Sequence, residues 1–239
     1  MKTIGLLGGM GWPSTLTYYR LINEGVAARL GGMHAARIAL WSVDFADVEA
    51  CQREGRWDDA SAILADGARR LEAAGAEILV LCTNTMHRLA GPLQAATRVP
   101  LLHIADATAE EARARGLTKL GLLGTRFTME QDFYRGRLEA HGFEVLVPDA
   151  DGRAFVNRVI YEELVHGVVR PSSRAGYLAA IADLVARGAD GVVLGCTEIG
   201  LLVSAADLPD VAVLDTTEVH ARAAVVAALG SAPDQLHST

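Results

Sequence analysis

"LEAAGAEILVLCT", residues 71–83, reads as the last turns of a helix, a glycine that ends it, and an apolar strand running into polar residues. It returns without gaps 113 residues later as "LVARGADGVVLGC", residues 184–196. Six of the thirteen positions are identical, and the helix-ending Gly75 falls on Gly188. A second echo lies upstream. "IGLLG" (4–8) returns as "LGLLG" (120–124), and Tyr19-Arg20 in the helix that follows returns as Tyr134-Arg135. A chain that repeats both a strand and the helix after it is built from two similar halves.

Working outward, short apolar runs recur at 3–8, 36–43, 77–82, 100–104, 119–124, 143–148, 190–195 and 211–215, each the length of a buried strand. Stretches of helical periodicity, such as "DDASAILADGARRLEAAG" and "SSRAGYLAAIADLVARG", lie between most of them. Strands alternating with helices predict an α/β fold with mainly parallel sheets. The expected architecture is two similar three-layer α/β domains related by a pseudo-twofold axis, with the active site in the cleft between them. The first half takes residues 1–105 plus 212–230, with "VAVLD" and the following helix packing back onto it, and the second half takes 106–211. The polar stretch "SAPDQLHST" (231–239) is expected to be a disordered tail.

The repeat bears on which side chain does chemistry in "CTNTMH" (82–87). The gapless register puts Leu81 on Leu194, Cys82 on Gly195 and Thr83 on Cys196. Neighbouring side chains of a strand point to opposite faces, so one residue of register decides which group faces a ligand. A competing register, offset by 114, pairs Cys82 with Cys196 and Thr83 with Thr197. It loses the Gly75/Gly188 and Val80/Val193 matches and needs a bulge. The gapless version is preferred.

Composition narrows the partners. Half of the 239 residues are hydrophobic and the net charge is −7, with scattered Lys and Arg, which argues against nucleic acid and acidic membranes. A small molecule, or a second copy of the chain, fits better. Three cysteines without a C-x-x-C pair make neither a disulfide framework nor a zinc site, and a reducing cytoplasm suits them. "MKTIGLLGG" has too short an apolar stretch for a signal peptide, and no 18-residue apolar run follows.

In open parallel sheets ligands bind beyond the carboxyl ends of the strands, where "CTNTMH" and "GCTEIG" both fall. The helical stretches after Thr85 and Glu198 are expected to offer backbone N–H groups to a substrate carboxylate. Plainer roles stand beside these. A lone strand-end cysteine is more often a buried small hydrophobe than a reactive group. Thr85 and Thr197 can serve as helix caps, His87 as a capping or supporting residue, and Cys51 as structure. The opening "IGLLGGMGWPST" has neither G-K-[ST] nor G-x-G-x-x-G, since position 14 is serine. Its glycines suggest close approach of backbone to a small ligand, with Pro13 and Ser14 starting a helix. No spacing suggests a metal site.

Together "GLLGGMGWPST", the Asn-Thr-x-His of "CTNTMH" and "GCTEIG" resemble the aspartate/glutamate racemase family, over nearly the whole chain from Met1 to about Gly230. "GTRFTMEQDFYRGRL" and "GCTEIGLLV" look most like its broad-specificity or L-aspartate/glutamate branch. The resemblance implies a cofactor-independent racemase of two α/β domains, often a homodimer. The family's first motif is Cys-Asn-Thr-x-His, and here Thr83 stands before Asn84, with Cys82 one place earlier. Thr83 is therefore the expected occupant of the first catalytic slot, and Cys196, leading Cys196-Thr197-Glu198, of the second. Met10, Gln52, Thr83, Asn84, Thr85 and Glu198 are implied to hold substrate, with Thr125 and Thr197 as further candidates. Relatives that engage an acidic side chain with a lysine would place it near Val165 or His166, and that lysine is absent here.

Racemisation needs an acid/base group on each face of the α-carbon. A cysteine, with a reference pKa of about 8.5, can supply a thiolate, so Cys196 is expected to take the proton and Thr83 to deliver one, with Asn84 donating to the α-carboxylate. Racemisation of other amino acids, hydantoin racemisation and maleate-type isomerisation are rival chemistries. A two-lobed small-molecule sensor is the rival without turnover.

Overall fold

Each apolar run becomes a strand in the computed structural model, which describes residues 1–230; the expected disordered tail, 231–239, lies outside the described residues. The first sheet uses β1 (Ile4–Gly8), β2 (Ile38–Ser42), β3 (Ile78–Leu81) and β4 (Leu101–Leu102), all parallel, in the order β2-β1-β3-β4. Its helices are α1 (Trp12–Leu30), α2 (Phe45–Glu54), α3 (Trp57–Ala73) and α4 (Ala90–Ala96). Pro13 sits in the first turn of α1, where its missing N–H costs no hydrogen bond.

The second sheet repeats that topology. β5 (Lys119–Gly124), β6 (Glu144–Leu146), β7 (Gly191–Gly195) and β8 (Ala212–Asp215) are parallel in the order β6-β5-β7-β8. With them go α5 (Ile104–Ala114), α6 (Arg126–Glu130), α7 (Arg135–Ala140), α8 (Ala150–Glu162) and α9 (Pro171–Ala186). The last helix, α10 (Thr216–Leu229), follows β8. Among the described residues, no helix is long and apolar enough to cross a membrane.

The chain divides into two compact units, and the division differs from the boundaries expected from the sequence. Among the described residues, the first holds 1–82, 89–102 and 220–230; the second holds Thr83–Arg88 and His103–Val219. The "VAVLD" strand does not return to the first half. As β8 it pairs with β7 through Val192↔Val213 and Val193↔Leu214, as β4 pairs with β3 in the first sheet. Only the later part of α10 goes back, where Ala221, Ala224, Val225 and Ala228 pack with Tyr18, Ile22 and Val26 of α1 and Ile78, Val80 and Cys82.

Strand periodicity shows in the second core. Val192 and Leu194 pack with Val156, Val159 and Ile181 on one side of the sheet, while Val193 packs with Ile104, Tyr134 and Leu138 on the other. Burying side chains of this size contributes roughly 1.5–3 kcal/mol each.

Candidate active site

Sheet pairing settles the register of the repeat. Leu7 pairs with Leu81 in the first sheet and Leu123 with Leu194 in the second. Because "IGLLG" maps Leu7 onto Leu123, Leu81 must map onto Leu194, and Thr83 onto Cys196. Side-chain alternation agrees. Cys82 continues the face of Ile78 and Val80, fully buried in the first core, with its thiol turned to Val80 O at 3.8 Å. Burial alone pushes that thiol far above its ordinary pKa. Cys196 continues the face of Val192 and Leu194, and it is half-buried, as Thr83 is.

The segment Thr83–Arg88 belongs to the second unit although β3, which leads into it, belongs to the first. Residues 85–89 form a 3-10 turn. His87, which sequence reasoning left as a supporting residue, fixes this segment from within. Its Nδ1 lies 2.7 Å from Thr83 O, and its Nε2 accepts the N–H of Ile104, at the start of α5, at 3.2 Å. A ring that accepts at Nε2 must donate from Nδ1, so the carbonyl of Thr83 is held by a neutral imidazole.

Asn84 is 4 % exposed, and its orientation is decided 132 residues away. Thr216 Oγ1 gives its only proton to Leu194 O at 2.8 Å, so it can only accept from Asn84, whose Nδ2 lies 3.0 Å away. Asn84 Oδ1 therefore points the other way, buried and without a hydrogen-bond partner. An orphaned buried acceptor costs about 1–3 kcal/mol, which a ligand's donor would relieve. The Asn84 amide has a second N–H beyond the one given to Thr216, so the expected donation to a carboxylate stands beside an acceptor at Oδ1 suited to an ammonium group. The same chain, Asn84 to Thr216 to Leu194, ties the first motif to the strand that delivers Cys196.

Cys196, Thr197 and Glu198 meet on one oxygen. Cys196 Sγ donates to Glu198 Oε2 at 3.0 Å and Thr197 Oγ1 to the same atom at 2.7 Å. Burial, and then the negative charge of Glu198, push the Cys196 thiol well above its ordinary pKa. Its resting form is the thiol, not the thiolate expected from the sequence. Thr85 Oγ1 touches Thr125 Oγ1 at 3.1 Å. Thr125 also caps α6 through the Thr128 N–H and lies 3.2 Å from the Thr128 hydroxyl. Gly124 and Gly195 bring β5 and β7 together here. A Cβ on Gly124 would lie 2.9 Å from Gly195 O, which neither strand could yield.

The two helix N-termini differ. Residues 85–89 form a 3-10 turn that runs straight on into α4, whereas the helix after Cys196 is a single 3-10 turn at 199–201, too short to sum a useful dipole. Within the glycine-rich opening, Gly8 and Gly9 are required by the protein's own packing, whereas a Cβ on Gly11 would meet only Pro13 at 3.5 Å. A Cβ on Gly8 would strike the Thr15 side chain at 2.4 Å, and one on Gly9 would strike Val43 O at 2.2 Å. Met10 and Gln52 are both buried in the first unit, Gln52 in the last turn of α2.

The comparisons with known proteins agree among themselves. The model of a family described as Asp/Glu/Hydantoin racemase matches residues 7–224. The broad specificity amino-acid racemase RacX of Bacillus subtilis is 26 % identical over 209 residues, covering 84 % of this chain and 87 % of that protein. A crystal structure from Yersinia pestis, described as a candidate Asp/Glu racemase, is 54 % identical with a TM-score of 0.91. It matches 96 % of this chain and 100 % of its own. An aspartate racemase homologue from Pyrococcus horikoshii is 35 % identical with a TM-score of 0.84, covering 96 % of this chain and 100 % of its own.

Proposed function

The chain belongs to the Asp/Glu/Hydantoin racemase family and is an isomerase, and from that premise we propose that it racemises aspartate and glutamate without a cofactor, using Thr83 and Cys196 as its two proton-transfer groups. The observation that carries this reading is the equivalence of the two residues in the repeat: each stands two places beyond a leucine, Leu81 or Leu194, paired to the same position of the first strand in its half.

The steps follow from the hydrogen bonds. The α-ammonium donates a hydrogen bond to Asn84 Oδ1, the buried acceptor that lacks a partner, the hydroxyls of Thr85 and Thr125 are the donors at hand for the α-carboxylate, and Thr197, whose proton goes to Glu198, is a further substrate contact. Met10 and Gln52 complete the set of substrate contacts proposed for the chain. Cys196 starts as a thiol, so its proton passes to Glu198 Oε2, to which it is already bonded. The thiolate then removes the α-proton of the L-isomer. Thr83, directly or through a water, returns a proton to the other face and is reprotonated by solvent, while Glu198 releases to solvent the proton it took from Cys196, which restores all three groups to their starting forms. A hydroxyl is a far weaker acid than a thiol, which suits it to donate to a carbanion and makes it a poor base. All three cysteines are free thiols, in keeping with a cytoplasmic setting, and a homodimer remains part of the proposal.

The test is exchange of the α-proton in D2O, followed by NMR and chiral chromatography, with L- and D-aspartate and glutamate. Exchange with inversion is expected. Turnover of hydantoins, maleate or only non-acidic amino acids would replace the substrate assignment, and binding without exchange would leave a sensor.

Glu198 has its own signature. Replacing it with glutamine removes the acceptor to which the Cys196 proton passes, so the thiolate can form only by losing that proton to solvent, and kcat for L-aspartate should fall at neutral pH and recover as the pH rises. A variant that loses activity equally at every pH would show Glu198 to be only a structural contact.

A further inference from the structure

A cavity of about 220 Å³ is walled by Arg126, Phe127, Glu130 and Gln131, none of them among the site residues expected from the sequence. Its first wall residue directly follows Thr125 in the chain. Gly124 abuts Gly195, Thr125 touches Thr85, and Arg126 is the next residue, its backbone N–H held by Asn157 Oδ1 at 2.8 Å. The polar groups around the cavity are otherwise engaged. Glu130 takes Arg153 Nε at 2.9 Å, and Gln131 Oε1 takes the Arg88 guanidinium. The Arg126 guanidinium has no carboxylate or hydrogen-bond partner among the described residues. With Glu130 neutralised by Arg153 and Gln131 uncharged, Arg126 sets the sign of the wall, and the Phe127 ring gives it an apolar flank.

A guanidinium fork with free donors recognises a carboxylate. We propose that Arg126 selects acidic substrates by pairing with the side-chain carboxylate of the bound amino acid, whose methylene arm lies along Phe127. The proposal rests on the racemase reading above.

Steady-state racemisation of L-aspartate by the wild type, Arg126→Gln and Arg126→Lys tests it, with inhibition by succinate as a second readout. Arg126→Gln should raise KM for L-aspartate and Ki for succinate by about tenfold or more, the usual scale for a lost charge-assisted pair, with kcat within about threefold. Arg126→Lys should recover part of the loss, since a point charge remains but the fork does not. Unchanged KM and Ki in Arg126→Gln, or a fall in kcat alone, would overturn the assignment and leave the racemase reading intact. A wild type that exchanges neither aspartate nor glutamate would overturn both.

Discussion

Replacing Cys196 with alanine should cut α-proton exchange from L-aspartate by about 10³-fold, within the range a positioned acid or base supplies, while Cys82→Ala leaves exchange within about threefold of wild type. The contrast follows from one residue of strand register. Cys82 is fully buried in the first core and Cys196 is half-buried beside Glu198. Cys82→Ala should register instead as lost stability, about 1 kcal/mol, for a sulfur removed from a packed core. Thr83→Ala separates the two proton-transfer groups. Cys196 can still remove the α-proton of L-aspartate and return a deuteron to the same face, so label should enter the L-isomer while D-product falls by about 10²-fold or more. Equal loss of exchange and inversion in Thr83→Ala would remove the division of labour. Loss of exchange in Cys82→Ala, with Thr83→Ala unaffected, would remove the assignment itself. An unequal pair also predicts faster L-to-D than D-to-L turnover at saturation. The isomers have equal free energy, so kcat/KM must agree in the two directions, and a lower kcat for the D-isomer must come with a lower KM.

Acid should destabilise the fold by about 3 kcal/mol between pH 6.5 and pH 4 through one residue, His220. Burial lowers its pKa from 6.5 to about 4. Its Nδ1 accepts from Tyr18 Oη and its Nε2 donates to Leu102 O, both at 2.9 Å, a pattern that only the neutral ring can satisfy. The sign follows from proton uptake. Between the two pKa values the unfolded chain binds a proton that the folded chain refuses, so stability falls as pH falls and is flat above 6.5. Urea denaturation at pH 7, 5.5 and 4 measures this, and His220→Gln should flatten the slope across that window even if it lowers stability at pH 7. A slope unchanged in that variant would place the acid sensitivity elsewhere. Asp106 extends the loss downward. Burial would raise its carboxyl, but hydrogen bonds from Arg137 and His141 outweigh that and hold it near 2, so its contribution disappears below about pH 4.

The strands were legible because burial in a parallel sheet leaves an apolar run that periodicity alone reveals. The pairing of Thr83 with Cys196 was legible for a related reason: a repeat carries its own alignment. The allegiance of β8 was not. Five apolar residues look the same whichever sheet edge receives them, and the choice lies in the path of the preceding connection. The glycines near the N-terminus are ambiguous for a similar reason, because a missing Cβ shows that something comes close but not whether it is ligand or the protein's own backbone. Asn84 was identifiable by type, yet its orientation depends on Thr216. Arg126 lies in "GTRFTMEQDFYRGRL", a stretch that carries the resemblance, yet no role for it was legible there, because lacking a partner is a property of the folded surroundings and not of the residue.

The division of the chain at Cys82/Thr83 and again at Arg88/Leu89 has a consequence for engineering. The segment carrying Thr83 reaches its place in the second unit only by way of a strand that belongs to the first. No single cut in the gene releases a second unit with that segment attached, and a swap of the contiguous stretch from His103 to Val219 between relatives would import Cys196 while leaving the recipient's own residue 83 behind. Chimeras made at that natural-looking boundary would thus join residue 83 of one parent to residue 196 of the other, which makes them a direct way to exchange one member of the proposed pair at a time.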